Sequence, residues 1–166
     1  MRVRVENVLD APAQWVWEMA QKPSTLQHVS WPLLVFKLIG AKRLPDRWQA
    51  DTLQVRLQIF GIIPAGTQTI APSMSHHGPE DGNGACWLRD NGSGDIARVW
   101  DHWIRITHVD SRTTHYVDDV QVKAGILTPF VGLFAHLFYR YRQWRWRRLA
   151  ARLGQTMSWP DEARSL

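Results

Sequence analysis

Residues 48 to 60 carry the clearest period of two in the chain. Leu53, Val55, Leu57 and Ile59 alternate with Gln54, Arg56 and Gln58, which predicts a long strand with one buried face. A second alternation, Val3 and Val5 against Arg2, Arg4 and Glu6, predicts a strand over residues 2 to 9. The compact apolar run 33 to 39 reads as another, with Lys37 outward and Leu34, Phe36 and Leu38 inward. Further strands are expected at 67 to 73, 85 to 90, 96 to 109 and 113 to 123. The turn Asp110-Ser111 joins the last two as a hairpin, and Asn91-Gly92-Ser93-Gly94 reads as a turn.

The period changes to 3.6 in two places. After Asp10-Ala11-Pro12, the residues Trp15, Val16, Met19 and Ala20 share a helix face that ends at Lys22-Pro23, and a second short helix is predicted over Ser24 to Val29. The longest periodic segment runs from Gly125 to Gly154. Leu127, Phe130, Val131, Phe134, Leu137, Phe138 and Tyr141 fall on one stripe there, and Arg145, Arg148 and Arg152 continue the angular position of Phe134 and Phe138. Thr128 before Pro129 is the expected start of this helix and Gly154 its stop.

The order is thus one strand, one or two short helices, about six strands and one long helix. A long antiparallel sheet twists and curls, and one amphipathic helix covers its concave face most simply. The expected class is α+β with a helix-grip arrangement: residues 1–154 form one ligand-binding domain, and 155–166 are a polar tail.

Composition changes this picture little. At 166 residues the chain suits one core, and its ten tryptophans suit an interior with much volume to line. The net charge of +5 comes largely from the cluster between Arg140 and Arg152, so nucleic acid is not expected as a partner. The single Cys86 cannot form an internal disulfide. The N-terminus lacks a signal-peptide core, and no run reaches the ~20 apolar residues of a membrane span, so a cytoplasmic location is expected.

Several stretches also resemble a known group. The strand ending in Asp10-Ala11-Pro12 with Val16-Trp17, the turn FGIIPAG at Phe60 to Gly66, WDHWIRI at Trp100 to Ile106, and THYVDDVQVKAGILTP at Thr114 to Pro129 resemble the START-related superfamily of polyketide cyclases and lipid-transfer proteins. LFYRYRQWRWRRL is similar to uncharacterised bacterial members. The resemblance implies a curved seven-stranded sheet around the C-terminal helix, enclosing a cavity for a hydrophobic or amphipathic molecule. It also implies access between the start of the helix and the loops Gly61 to Gly66 and Asp90 to Asp95. It does not imply one activity, because the superfamily includes carriers, receptors and cyclases.

The candidate cavity wall is Leu34, Phe36, Leu53, Val55, Leu57 and Ile59 facing Phe130, Phe134 and Phe138. The competing reading is a solid, interdigitated core. On the last hairpin His102, Ile104 and Ile106 share one face, and Tyr116, Asp118, Val120 and Val122 share another. An even register would set His102 beside Asp118 as a candidate acid–base pair, or as a structural one. Tyr116 and Tyr141 could orient a ligand head group. The expected function is therefore binding or transport of a lipid or polyketide-like molecule, with a cyclase or dehydratase using His102 as the alternative. No cofactor is expected. His76 and His77 lack metal-ligand spacing, so no metal is expected. The basic, aromatic helix end is expected to be solvated, with transient contact of Arg145, Arg147 and Arg148 with an anionic membrane as the functional alternative.

Overall fold

The computed structural model describes residues 1–40, 43–75 and 85–154. His76, His77 and the 155–166 tail lie outside the described residues. The elements are β1 (Arg2–Leu9), α1 (Ala13–Ala20), α2 (Pro23–Ser30), β2 (Leu34–Leu38), β3 (Leu53–Ile59), β4 (Ile63–Ile70), β5 (Pro72–Met74), β6 (Ala85–Gly94), β7 (Val99–His108), β8 (Thr114–Lys123) and α3 (Thr128–Gly154). All strand pairs are antiparallel, in the order β1-β8-β7-β6-β4-β3-β2, and β5 pairs with β6 beside this path. The helix-grip arrangement read from the sequence is present, with eight strands instead of seven.

The extra strand arises at Ala71. Residues 67 to 73 read as one strand, but the Ala71 N–H donates to Asp90 Oδ1 at 2.8 Å, and the run divides into the end of β4 and β5. The stretch Asn91-Gly92-Ser93-Gly94 is no turn; it is the end of β6. Here the glycines serve close strand approach. A Cβ on Gly92 would lie 2.8 Å from the Thr69 carbonyl oxygen, and one on Gly94 would collide with that of Thr67. The FGIIPAG turn is also shorter than read, because β4 already begins at Ile63. Residues 48 to 52 precede β3, and Trp48 is instead buried under α1, its indole Nε1 donating to the Ala20 carbonyl at 3.2 Å.

The largest difference lies on α3. Its buried face holds Ala135, Phe138, Tyr139, Arg142, Gln143, Trp146 and Ala150, rotated from the stripe of large apolar residues. Leu137 is exposed and Phe130 is 73% exposed, whereas Arg142 is only 4% exposed. The expectation that charge from Arg142 onward is solvated therefore fails at Arg142. The cause is what the sheet offers as a partner: β8 presents Tyr116 and Asp118 inward, and a guanidinium matches them where a phenylalanine would not.

Candidate functional site

The sheet and α3 do not close on each other along their whole length. Near the start of α3 they leave a pocket of about 300 Å³. Leu34, Leu57 and Ile59 form one wall, Ala65, Thr67 and Gln68 of β4 a second, and Leu127, Phe130, Val131 and Phe134 the cover. Gly94, Ile96, Ala97 and Trp100 complete it. A larger concavity of about 700 Å³ lies over β2 and is lined by polar residues such as Lys22, Lys37, Arg43 and Asp46. Only the first joins an apolar lining to the cover provided by α3.

Of the residues proposed from sequence, Leu34, Leu57, Ile59, Phe130 and Phe134 meet at this pocket. Phe36, Leu53, Val55, Ile104 and Tyr116 pack instead into a core with Val16, Trp17 and Ile70. Val120 and Phe138 pack with Val3, Ala135 and Tyr139 in a second core. Tyr141 turns away, its hydroxyl donating to the Trp31 carbonyl at 2.7 Å. The apolar core that the sequence suggested as the competing reading thus occupies the deeper part of the interior, and the pocket occupies one end.

Between them lies a buried polar cluster. The hairpin register pairs His102 with Val120 and Ile104 with Asp118, so His102 and Asp118 share a face, and His102 Nε2 sits 2.8 Å from Asp118 Oδ1. The Arg142 guanidinium donates to the Tyr116 hydroxyl at 3.1 Å and lies 3.9 Å from Asp118. Gln143 Nε2 donates to Asp118 Oδ2 at 3.3 Å and to the Val5 carbonyl at 2.6 Å. The His102 ring packs on Tyr139 at 4.7 Å, and the Tyr139 hydroxyl accepts from Trp100 Nε1 at 3.2 Å. Trp100 lines the pocket as well, so its indole links the pocket wall to Tyr139 at the edge of the cluster. The Arg142 Nε–H has no acceptor among the described residues.

The electrostatics follow from this geometry. Burial would raise the Asp118 carboxyl, but Arg142, His102 and Gln143 together hold it below the usual value. Burial depresses the His102 imidazole and Arg142 depresses it further, against the pull of Asp118. The cluster is thus an ionised Asp118 and Arg142 with a histidine that resists protonation. Asp90 of β6, opposite His102 in the register, points inward, and burial pushes its carboxyl up to about 7.

The sequence reading missed Arg142, Gln143, Asp90 and Trp100. A signal for Arg142 existed: Val131, Ala135, Phe138 and Arg142 are spaced by four, three and four residues, one face of a helix. Among the described residues, no three or more of His, Cys, Asp and Glu gather as a metal site would require. Among the described residues, no helix is long and apolar enough to cross a membrane. Arg145 donates to the His28 carbonyl at 2.9 Å, and Arg148 lies 3.9 Å over the Trp144 ring, so two of the three arginines proposed for membrane contact have partners on the protein.

No family model and no curated protein matches the sequence. Solved structures do match the fold. A conserved protein from Geobacillus kaustophilus superposes with a TM-score of 0.61 at 19% identity, covering 92% of this chain and 96% of its own. The Zhui aromatase/cyclase from Streptomyces sp. R1128 gives 0.64 at 13% identity, over 95% and 96%. A START superfamily protein from Mycobacterium smegmatis gives 0.63 at 15% identity, over 92% and 98%. With a curved antiparallel sheet, two short helices after β1 and α3 across the concave face, the chain has the START and polyketide-cyclase-like helix-grip fold.

Proposed function

We propose that this protein binds a hydrophobic or amphipathic small molecule in the pocket between the sheet and the start of α3. The observation that carries the reading is the pocket itself, apolar on nearly all sides with Thr67 and Gln68 as its polar side chains. Its volume of about 300 Å³ falls at the small end of small-molecule sites. Burying ~200 Å² of apolar ligand surface would contribute about 5 kcal/mol before the costs of association. The likeness to a START protein and to an aromatase/cyclase supports a ligand-holding role.

The test uses N-phenyl-1-naphthylamine, a neutral apolar fluorophore, alongside native mass spectrometry of protein incubated with lipid extract. Bound probe and at least a tenfold loss of affinity in Ala65→Trp, which fills the pocket from β4, are the expected results. Probe binding equal in both proteins would place the ligand elsewhere, and no binding of either probe or lipid would overturn the reading.

The second reading, a cyclase-like enzyme with His102 as acid or base and Asp118 as its partner, draws on their 2.8 Å contact. It ranks behind because His102 is 5% exposed and packs on Tyr139 instead of lining the pocket. A His102→Ala protein that keeps probe binding but loses turnover of a poly-β-ketone substrate would reverse that order.

A further inference from the structure

Large apolar side chains are normally exposed one at a time. Here they gather where the pocket opens. Ile62 is 76% exposed in the β3–β4 turn, beside Phe60 and Ile63. Ile96, also exposed, lies between β6 and β7, and Ile126 is 92% exposed just before α3, followed by Phe130 and Leu133. The three segments come together around one opening, since Ile59, Ala65, Ile96, Leu127 and Phe130 all line the same pocket. Nothing in the fold's stability calls for this crown, because these side chains bury little against the protein.

The charge at this end is net positive, with Arg98 and Lys123 against the single carboxylate of Asp95. Arg98 and Lys123, both exposed, flank Ile96 and Ile126, and among the described residues neither forms an ion pair. Within residues 59–66, 95–98 and 123–133 the one acid is Asp95, and its carboxylate accepts the Thr67 N–H at 2.7 Å and the Thr67 hydroxyl at 2.8 Å. We infer that this end docks on an anionic lipid surface, with the crown entering the headgroup–acyl boundary and Arg98 and Lys123 meeting lipid phosphates.

A second copy of the chain fits less well, because two such ends meeting face to face would bring Arg98 and Lys123 of each into like-charge contact. A bilayer instead offers an apolar layer under a negative surface, which matches the order of side chains here. The arginine-rich end of α3 takes no part. Arg145 lies 15 residues beyond Phe130, about 22 Å along the helix at 1.5 Å per residue.

Flotation with phosphatidylcholine vesicles containing 30% phosphatidylglycerol tests the inference. Wild-type protein should float with these vesicles and several-fold less with pure phosphatidylcholine. Ile62→Asp/Ile126→Asp should lower partitioning at least tenfold, and neither residue lines the pocket, so N-phenyl-1-naphthylamine binding in solution should persist. Arg98→Glu/Lys123→Glu, which leaves every apolar side chain in place, should remove the dependence on phosphatidylglycerol. Arg145→Ala/Arg147→Ala/Arg148→Ala should float like wild type. Wild-type protein that stays in the lower fraction would overturn the inference, as would an isoleucine variant that floats unchanged or loss of flotation in the triple-arginine variant. Sedimentation equilibrium showing a dimer that Ile62→Asp/Ile126→Asp dissociates would assign the crown to a second copy instead. Loss of probe binding without loss of flotation would count against the pocket alone.

Discussion

Arg142→Met tests whether the buried cluster is held together by charge. The substitution keeps much of the side-chain volume and removes the bond to Tyr116 at 3.1 Å and the cation 3.9 Å from Asp118. Asp118 is fully buried, so it is left with His102 and Gln143 as partners and no permanent positive charge. Breaking a buried ion pair by removing one member costs about 3–5 kcal/mol. The surviving bonds to Asp118 favour the lower end, about 3 kcal/mol at pH 8. Acid should shrink that figure. In the wild type, burial and Arg142 depress His102, so below its ordinary value near 6.5 the unfolded chain takes up a proton that the native state refuses, and stability falls. Without Arg142 that depression is smaller, His102 accepts a proton beside Asp118, and the variant loses less stability between pH 7 and 5. Guanidinium denaturation followed by tryptophan fluorescence at pH 8 and pH 5.5 measures both quantities. The cycle is completed by Asp118→Asn and the double variant, whose coupling should reach at least about 2 kcal/mol. Additive single effects, or a gap that widens in acid, would refute an electrostatic role for Arg142.

Two further substitutions probe the sheet. Asp90 is pushed up to about 7 by burial, so from about pH 4 upward the unfolded chain loses this proton before the native one, and the contribution of Asp90 to stability is lost as pH rises through about 7. Asp90→Asn should therefore raise stability by about 2 kcal/mol at pH 8, well inside the ~1.4 kcal/mol per pKa unit that the shift permits, and by nothing near pH 4; thermal melts at both pH values decide, and equal gains at both would remove the titration argument. Gly94→Ala sets a Cβ against the Thr67 carbonyl oxygen in a β4–β6 ladder of only two residue pairs, Gln68 with Gly94 and Thr69 with Ser93. It should cost about 2–3 kcal/mol and speed amide exchange over residues 63–70, whereas unchanged exchange there would show that the two strands can part without penalty.

What the sequence made legible was whatever depends on a neighbour two or four residues away. The faces of β7 and β8 were readable because their ladder runs without a bulge from Val99–Lys123 to His108–Thr114, so alternation along each strand predicts the shared face of His102 and Asp118. Local preference misread Asn91 to Gly94. Asn-Gly and Ser-Gly favour turns when only their own dihedral angles are weighed, but these glycines are set by the carbonyls of Thr67 and Thr69, more than twenty residues earlier. The division of residues 67 to 73 was hidden for the same reason, since it depends on a carboxylate nineteen residues away in the chain. The apolar positions of β3 were readable, yet which of them reach the pocket was not. Leu57 and Ile59 do, whereas Val55, on the same face, is sealed into the core.

The long helix shows why hydrophobicity alone misplaced its buried face. A stripe drawn through its largest apolar residues runs through Phe130, Phe134 and Leu137, whereas the face that holds the helix to β1, β8 and α2 runs through small, aromatic and polar residues, Ala135, Tyr139, Arg142, Gln143 and Trp146. Stability accounts for the second face: Gln143 reaches Val5 of β1, Arg142 and Gln143 complete Asp118 of β8, and Trp146 stacks on Tyr116 at 5.3 Å. On the first it accounts for Phe134, which stacks on the buried Phe138 at 6.0 Å, but not for Phe130 and Leu137, because an exposed apolar side chain contributes little to folding and adds to the risk of aggregation. Apolar residues that the core does not use, placed around the mouth of an apolar pocket, point to contacts made outside the fold. The end of α3 that binds the sheet least is therefore where function is to be sought, and the charged end, which the sequence offered as a membrane contact, is where the helix is held.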